Sequence, residues 1–314
     1  MTRILITGAA GFLGNRLARD LVRRGTLNGQ AIATLTLADL TACDTCRADN
    51  IDVQWLTGDL ADPSYADRLA GQGHDTVFHL ASLLTLHAEA DPELAYAVSG
   101  ESLRRLVAGA ENGTKLIYPS SIAIHGGNLP ETVGDDQNPV PATTYGTHKA
   151  INELLIADHS RAGRIDGRSL RLPIVLTRPK SVSPTVSDVV AAIIRDPLNG
   201  EDVTIPLAPE TRVPVASAGT VAAALIRMAE VPKAELPDKR ALNLPALSVT
   251  LRDLAEAVAG RGGTGRVRFE PDPGLQAVVE SWPRAFVSEA AARLGIASDA
   301  DTEALIDDFL QGAG

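Results

Sequence analysis

The 314-residue sequence predicts an α/β fold, a doubly wound parallel sheet followed by a smaller C-terminal α/β domain. Three observations carry this. Near the start, Ile4-Leu5-Ile6 is an apolar run without alternation, as in a strand buried on both faces. Gly8, Gly11 and Gly14 follow at even spacing, and Leu13, Leu17, Leu21 and Val22 then recur at helical period, with Arg16, Arg19, Arg23 and Arg24 opposite. Strand and helix patterns then alternate as far as Leu176, which implies parallel strands with helices on both faces.

The glycine turn is an anion site by construction. Free backbone N–H groups and the dipole of the following helix point at whatever occupies it. Gly8 makes the turn, Gly11 admits a pyrophosphate and Gly14 lets the helix pack on the strand. The placement after a buried strand and at a helix start is that of a Rossmann dinucleotide fingerprint. A second strand, Ile32 to Leu37, ends at Ala38-Asp39, where a carboxylate can accept from the adenosine ribose hydroxyls.

Composition narrows the classes. With 45% hydrophobic residues the chain has ample material for a core, and the net charge of -10 argues against a nucleic-acid partner. No apolar run reaches transmembrane length and the N-terminus reads as a strand, so no membrane partner and a cytoplasmic location are expected. Cys43 and Cys46 form a lone C-x-x-C without a second pair, so two thiols and no metal are expected.

Further along, Val53 to Leu56 is a short strand and Gly58-Asp59-Leu60 follows it. Asp59 suits either an adenine amino group or a turn. Pro63 to Leu69 reads as a helix and Thr76 to Ser82 as the fourth strand, with His79 packing between layers. Asp91 to Glu111 is a long helix opened by Asp91-Pro92. Lys115 to Tyr118 is the fifth strand and runs into Pro119-Ser120-Ser121. A helix headed by Tyr145 carries Ile151, Leu154, Leu155 and Ile156, and Ser169 to Leu176 is the sixth strand. Beyond Arg178-Pro179 short strands at 203–205 and 267–269 separate helices at 186–194, 220–230, 250–259 and 289–294. The expected domains are 1–177, binding the dinucleotide and rejoined by 212–243, and a substrate-binding domain of 178–211 and 244–314.

Tyr145 and Lys149 stand four apart on one helix face. A phenol titrates near ~10, too high for a base at neutral pH, and a nearby ammonium favours the phenolate. Bringing it down to ~7 requires about 4 kcal/mol of differential interaction. Ser121, at the end of the neighbouring strand, is placed to hold a substrate hydroxyl. The three supply a base, an orienting group and a cofactor clamp for hydride transfer. With four tyrosines and five lysines, a Tyr-x-x-x-Lys arises by chance in roughly one such chain in sixteen, so order and context must add to it.

Thr7 to Gly14, His79-Leu80-Ala81-Ser82, Ser120-Ser121 and Tyr145-Gly146-Thr147-His148-Lys149 together resemble the extended short-chain dehydrogenase/reductase family, of NAD-dependent epimerase/dehydratase type. The resemblance spans the whole chain. It implies Ser121, Tyr145 and Lys149 as catalytic residues and NAD as cofactor, held by Gly8, Gly11, Phe12, Leu13, Asp39, Asp59, Leu60, Leu80, Ala81, Ser82, Tyr145, Lys149 and Pro173. Within the family, 145–158, 166–173, 193–198 and Thr211-Arg212 are most similar to the D-erythronate dehydrogenase branch, which oxidises a sugar acid with NAD. A homodimer through two long helices is usual in the family.

Three departures stand out. Ala97 occupies a position where the family usually has asparagine, Lys180-Ser181-Val182-Ser183 replaces a Gly-Lys-Pro-Asn-like run, and His125 replaces a tyrosine. Ser82, Ser121, Arg178 and Arg212 are the expected substrate contacts, with Lys180 nearby. Arg212 suits either a carboxylate grip or a surface ion pair. The expected activity is oxidation of a hydroxyl of a small sugar acid. The alternatives are a nucleotide-sugar epimerase or dehydratase that keeps its NAD, and an NAD sensor without turnover.

Overall fold

The computed structural model describes residues 1–43, 46–176 and 185–311. Arg178 and Lys180 lie outside them. The chain divides into two compact units, Met1–Ile124 with Thr143–Arg171 and Ala222–Leu242, and His125–Ala142 with Leu172–Val221 and Asn243–Gly314. Segments 125–142 and 172–176, expected in the first domain, thus group with the second unit, and the returning segment begins at 222 rather than 212.

The first unit is built on β1 (Thr2–Thr7), β2 (Gln30–Asp39), β3 (Asp52–Thr57), β4 (Thr76–His79), β5 (Lys115–Ser121), β6 (Asp166–Leu172) and β7 (Ala241–Asn243), in the spatial order β3-β2-β1-β4-β5-β6-β7. The pairs β1–β2, β2–β3, β1–β4 and β4–β5 are parallel, and a two-residue strand, Thr26–Leu27, lies antiparallel to the start of β2. The order reverses between β1 and β4, where doubly wound sheets place their ligands. Helix α1 (Phe12–Arg24) buries Leu17 and Leu21, and α2 (Pro63–Ala70), capped by Asp62, buries Tyr65, Ala66 and Leu69 against Leu5, Val77 and Leu106. Leu103 and Val107 pack with Leu116, Tyr118 and Ile156 in a neighbouring cluster.

Three expected elements differ. The fourth strand stops at His79, after which Leu80 N donates a last bond to Thr7 O (3.1 Å) and the chain passes against Gly8. The long helix expected over 91–111 runs from 92 to 109, as α4 (Pro92–Tyr96), a π turn (Ala97–Glu101) and α5 (Ser102–Gly109), and a short helix α3 (Thr85–Ala90) that was not expected precedes it. Ser99 Oγ donates back to Ala95 O (2.7 Å) and Ser102 Oγ to Val98 O, a pairing that competes with the regular ladder. The sixth strand breaks at Pro173, which has no N–H to donate: β6 ends before it, and Ile174–Val175 joins another sheet.

The second unit carries that sheet, in which Arg212–Ala216 pairs parallel with Ile174–Val175 and antiparallel with Leu247–Thr250. Two small parallel pairs, Val203–Ile205 with Val267–Phe269 and Thr132–Val133 with Ala285–Phe286, complete its strands. Its core joins Val190, Ile193 and Ile194 of the helix Val186–Leu198 to Leu251, Leu254 and Val258 of Leu251–Gly260 and to Leu305, Ile306 and Phe309 of Thr302–Gln311. Among the described residues no helix is long and apolar enough to cross a membrane.

Candidate active site

The glycine turn sits at the reversal of strand order. Gly8 has φ +70°, and a Cβ there would lie 2.8 Å from Ala81 N, so the β1 and β4 loops pass with no room for a side chain. At Gly14 a Cβ would lie 2.1 Å from Gly8 O. Gly11, exposed, caps α1 without a side-chain hydrogen bond, and the first turn of α1 has no acidic residue. The N–H groups of that turn are thus available to an anion. Asp39, at the end of β2, accepts from Ala10 N through Oδ2 (2.9 Å) and from Leu40 N through Oδ1 (2.7 Å), so its carboxylate also fixes the turn. Bare amides, a close-approach glycine and an adjacent carboxylate fit the pyrophosphate and ribose of a dinucleotide.

A second constellation forms where helix α6 (Thr144–Arg161) passes the end of β5. Ser121 ends β5, and its Oγ accepts from Ala123 N (3.1 Å) in the 3₁₀ turn Ile122–Ile124. The start of α6 is pinned twice: Thr143 Oγ1 accepts from Gly146 N (3.0 Å), and Glu89 of α3 accepts from Thr144 N (2.6 Å). A Cβ at Gly146 would lie 2.0 Å from Ala123 O, so only glycine lets α6 come this close to the Ser121 turn. Tyr145 is thereby brought to Ser121. Burial pushes its phenol above the usual range, and a hydrogen bond with Ser121 opposes that shift.

Lys149 is 4% exposed, and its Nζ donates to Pro119 O (2.8 Å). The same ammonium lies 4.5 Å from the Tyr118 ring centroid and 5.5 Å from that of Tyr145. Burial pulls it down to about 7, with Glu153 opposing. The expected depression of the Tyr145 phenol by this ammonium is therefore not what the site displays: burial dominates both groups. His79 is fully buried, with Nδ1 2.8 Å from Thr7 Oγ1 and its ring stacked on Tyr118. Burial, and then the Lys149 charge, bring its pKa down to about 3, consistent with packing rather than proton transfer.

Ser121, Tyr145 and Lys149 come together, Gly8 lies against Leu80 and Ala81, and Asp39 binds the glycine turn at Ala10, with Gly11, Phe12 and Leu13 following in that turn and Ser82 next to Ala81 in the chain. Asp59 is exposed and its Oδ1 caps Ala61 N (2.8 Å) as a turn residue does, while Leu60 is buried in the core beside it. Pro173 and Arg212 belong to the second unit, where Arg212 is exposed and its charge lowers the Asp253 carboxyl, behind the Thr250 hydrogen bonds. Cys43 and Cys46 carry no disulfide, and Asn15 Nδ2 lies 3.4 Å from Cys43 Sγ. Sequence reasoning missed Glu89, Gly146 as a contact glycine, and the buried Arg171–Glu153 pair. Glu153, one turn after Lys149, was the one legible signal among them.

Residues 4–244 match the NAD dependent epimerase/dehydratase family. A D-erythronate dehydrogenase from Cupriavidus necator is 40% identical, covering 99% of this chain and 98% of that protein. Another from Haemophilus influenzae is 34% identical over 98% and 99%. Among solved structures, a nucleoside-diphosphate-sugar epimerase from Agrobacterium tumefaciens superposes with a TM-score of 0.92 at 30% identity, covering 99% of this chain and 95% of that one. With the glycine cradle and the Ser-Tyr-Lys cluster in place, these matches establish that the chain belongs to the NAD-dependent epimerase/dehydratase family and is an NAD-dependent enzyme.

Proposed function

We propose that the chain oxidises a hydroxyl of a small sugar acid, D-erythronate or a close analogue, with NAD as hydride acceptor. The observation that carries the chemistry is the meeting of the Ser121 hydroxyl, the Tyr145 phenol and the Lys149 ammonium beside the end of β5. The sugar-acid class is supported by the full-length similarity to two D-erythronate dehydrogenases. Ser121 Oγ holds the substrate hydroxyl, and Tyr145 Oη takes its proton. Lys149 places positive charge beside the phenol and favours the phenolate that burial disfavours. Gly8, Gly11, Phe12 and Leu13 would hold the dinucleotide phosphates through backbone amides, and Asp39 the ribose. Bound NAD supplies the hydride acceptor and, when oxidised, a further positive charge. Arg212 is the proposed carboxylate anchor, and Arg178 is a second proposed substrate contact.

We further read the chain as a cytoplasmic homodimer. Leu86, Leu94, Tyr96, Ile151 and Leu154 are exposed on α3, α4 and α6, apolar surface that a second copy can cover.

A second reading, a nucleotide-sugar epimerase with resident NAD, draws on the likeness to the Agrobacterium tumefaciens protein. One experiment separates the two. NADH formation is followed with four- to six-carbon sugar acids, their uncharged polyols or aldoses, and UDP-sugars, for wild type and Arg212→Ala. The dehydrogenase reading expects NADH with acids and a raised KM in Arg212→Ala. Turnover of a UDP-sugar without net NADH, and none of any acid, replaces it with the epimerase. Acid turnover with unchanged KM in Arg212→Ala keeps the class and moves the anchor.

A further inference from the structure

Tyr145, Lys149 and Glu153 succeed one another at four-residue spacing along one face of α6. Glu153 is buried, and Arg171 of β6 clamps it: Nε to Oε1 at 3.0 Å and Nη2 to Oε2 at 2.9 Å. The two side chains are 5% and 6% exposed. The other groups around Lys149 offer it no negative charge. On its own helix Tyr145 is a phenol raised by burial; on β5, Tyr118 is held well above its usual value and Pro119 contributes a carbonyl; on β4, His79 is neutral. Glu153 is therefore the carboxylate that acts on Lys149 among the groups facing it.

We propose that Glu153, clamped by Arg171, is a positioning residue that keeps the buried Lys149 ammonium protonated, and so available to the Tyr145 phenolate, at neutral pH. This rests on the dehydrogenase reading for its catalytic consequence, but not for the charge relation itself. The clamp matters in two ways. The bidentate guanidinium gives both Glu153 oxygens a hydrogen-bond donor inside the protein. The same clamp fixes which way Glu153 points. It also adds a second positive charge, so the pair attracts Lys149 less than a bare carboxylate does. Burial pulls Lys149 down to about 7 and Glu153 opposes that shift, so modest changes in local charge alter how much ammonium is present at neutral pH.

The signs follow from the charges. A negative charge nearby favours the ammonium, so neutralising Glu153 moves the Lys149 titration to lower pH. Glu153→Gln also removes the carboxylate that Arg171 clamps while keeping its positive charge, which pushes the same way. The alkaline limb of kcat/KM, where the ammonium is lost, then moves to lower pH. A pair that only ties α6 to β6 changes the melting temperature and leaves that limb where it was.

The test uses the full chain labelled with ¹³C at lysine Cε. Only five lysines must be resolved, and Lys149→Met assigns the resonance. Lys149 is expected to titrate about one pH unit lower in Glu153→Gln than in wild type. Glu153→Asp, which keeps the charge, returns most of the shift. Glu153→Gln/Arg171→Met removes both buried charges and covers the case in which the single variant does not fold. Its Lys149 falls between wild type and Glu153→Gln. The alkaline limb of kcat/KM with a sugar acid moves in parallel. A Lys149 titration unchanged in both neutralised variants, with stability alone altered, overturns the proposal. A shifted resonance in a protein that oxidises no sugar acid overturns the dehydrogenase reading and leaves the charge relation standing.

Discussion

The place where α1 leaves β1 and the place where α6 passes the end of β5 are built on the same steric device. In one, Gly14 lies where a Cβ would be 2.1 Å from Gly8 O; in the other, Gly146 lies where a Cβ would be 2.0 Å from Ala123 O. Each brings the first turn of a helix against the chain just beyond a strand. Beyond that they diverge. The first turn presents bare backbone to the ligand, with the Asp39 carboxylate beside it on Ala10 N. The second fills the approach with side chains and buries an ammonium and a phenol whose charge states burial resists. Recognition of an invariant ligand group needs only amides and shape, whereas proton transfer needs groups held away from their ordinary ionisation.

The comparison breaks most sharply at Tyr145. Tyr145→Phe keeps the ring and its packing and removes only the proton acceptor. Turnover is expected to fall by about 10²–10⁴-fold or more, with NAD affinity nearly unchanged by equilibrium titration. A variant retaining a tenth of the wild-type rate removes Tyr145 from the role of base.

The two glycines give the next test. Gly14→Ala and Gly146→Ala each force a shift of a backbone carbonyl, and each is expected to cost on the order of 1–3 kcal/mol of stability by denaturant unfolding. Their functional effects should separate. Gly14→Ala raises the Kd for NAD, because α1 carries the amides. Gly146→Ala lowers kcat with little change in that Kd, because it moves Tyr145 from Ser121. Equal losses of NAD affinity in both variants would show that the two turns do not act separately.

The contrast also explains what the sequence made legible. The glycine turn is local: strand, turn and helix are consecutive, and each glycine's duty follows from spacing. Tyr145 and Lys149 are four apart on one helix, so their pairing is local too. The rest of the second site is not. Glu89 reaches the start of α6 from 55 residues away, and Arg171 reaches Glu153 across 18. Gly146 stood inside a recognised motif, but its reason is the Ala123 carbonyl, which only the fold brings near. The π turn within the long helix coincides with Ser99 and Ser102 bonding back to the preceding turn, a feature that side-chain periodicity does not reveal. Pro173 was a readable strand breaker, passed over because the apolar pattern continued through it to Leu176.

The smallest effect is expected at Asp39, and it sharpens the comparison most because Asp39 has two duties. Its oxygens accept from Ala10 N and Leu40 N, which ties the end of β2 to the glycine turn. Each oxygen retains a further lone pair for a ribose hydroxyl. Asp39→Asn preserves the shape and one acceptor but removes the charge. If the carboxylate only braces the turn, both NAD and NADP lose efficiency together and the melting temperature falls. If its charge reads the ribose, the two cofactors part. A hydrogen bond to a charged group is worth about 1.5–3 kcal/mol, so kcat/KM with NAD should fall by roughly 10- to 100-fold. With NADP it should rise instead, because a negative charge facing a 2′-phosphate has been removed. Arg47 is exposed on the loop beyond β2 and remains in the variant, where it favours the phosphate. Steady-state kinetics with both cofactors on wild type and Asp39→Asn decide between brace and reader. A wild type that uses both equally well takes the ribose role away from Asp39 altogether.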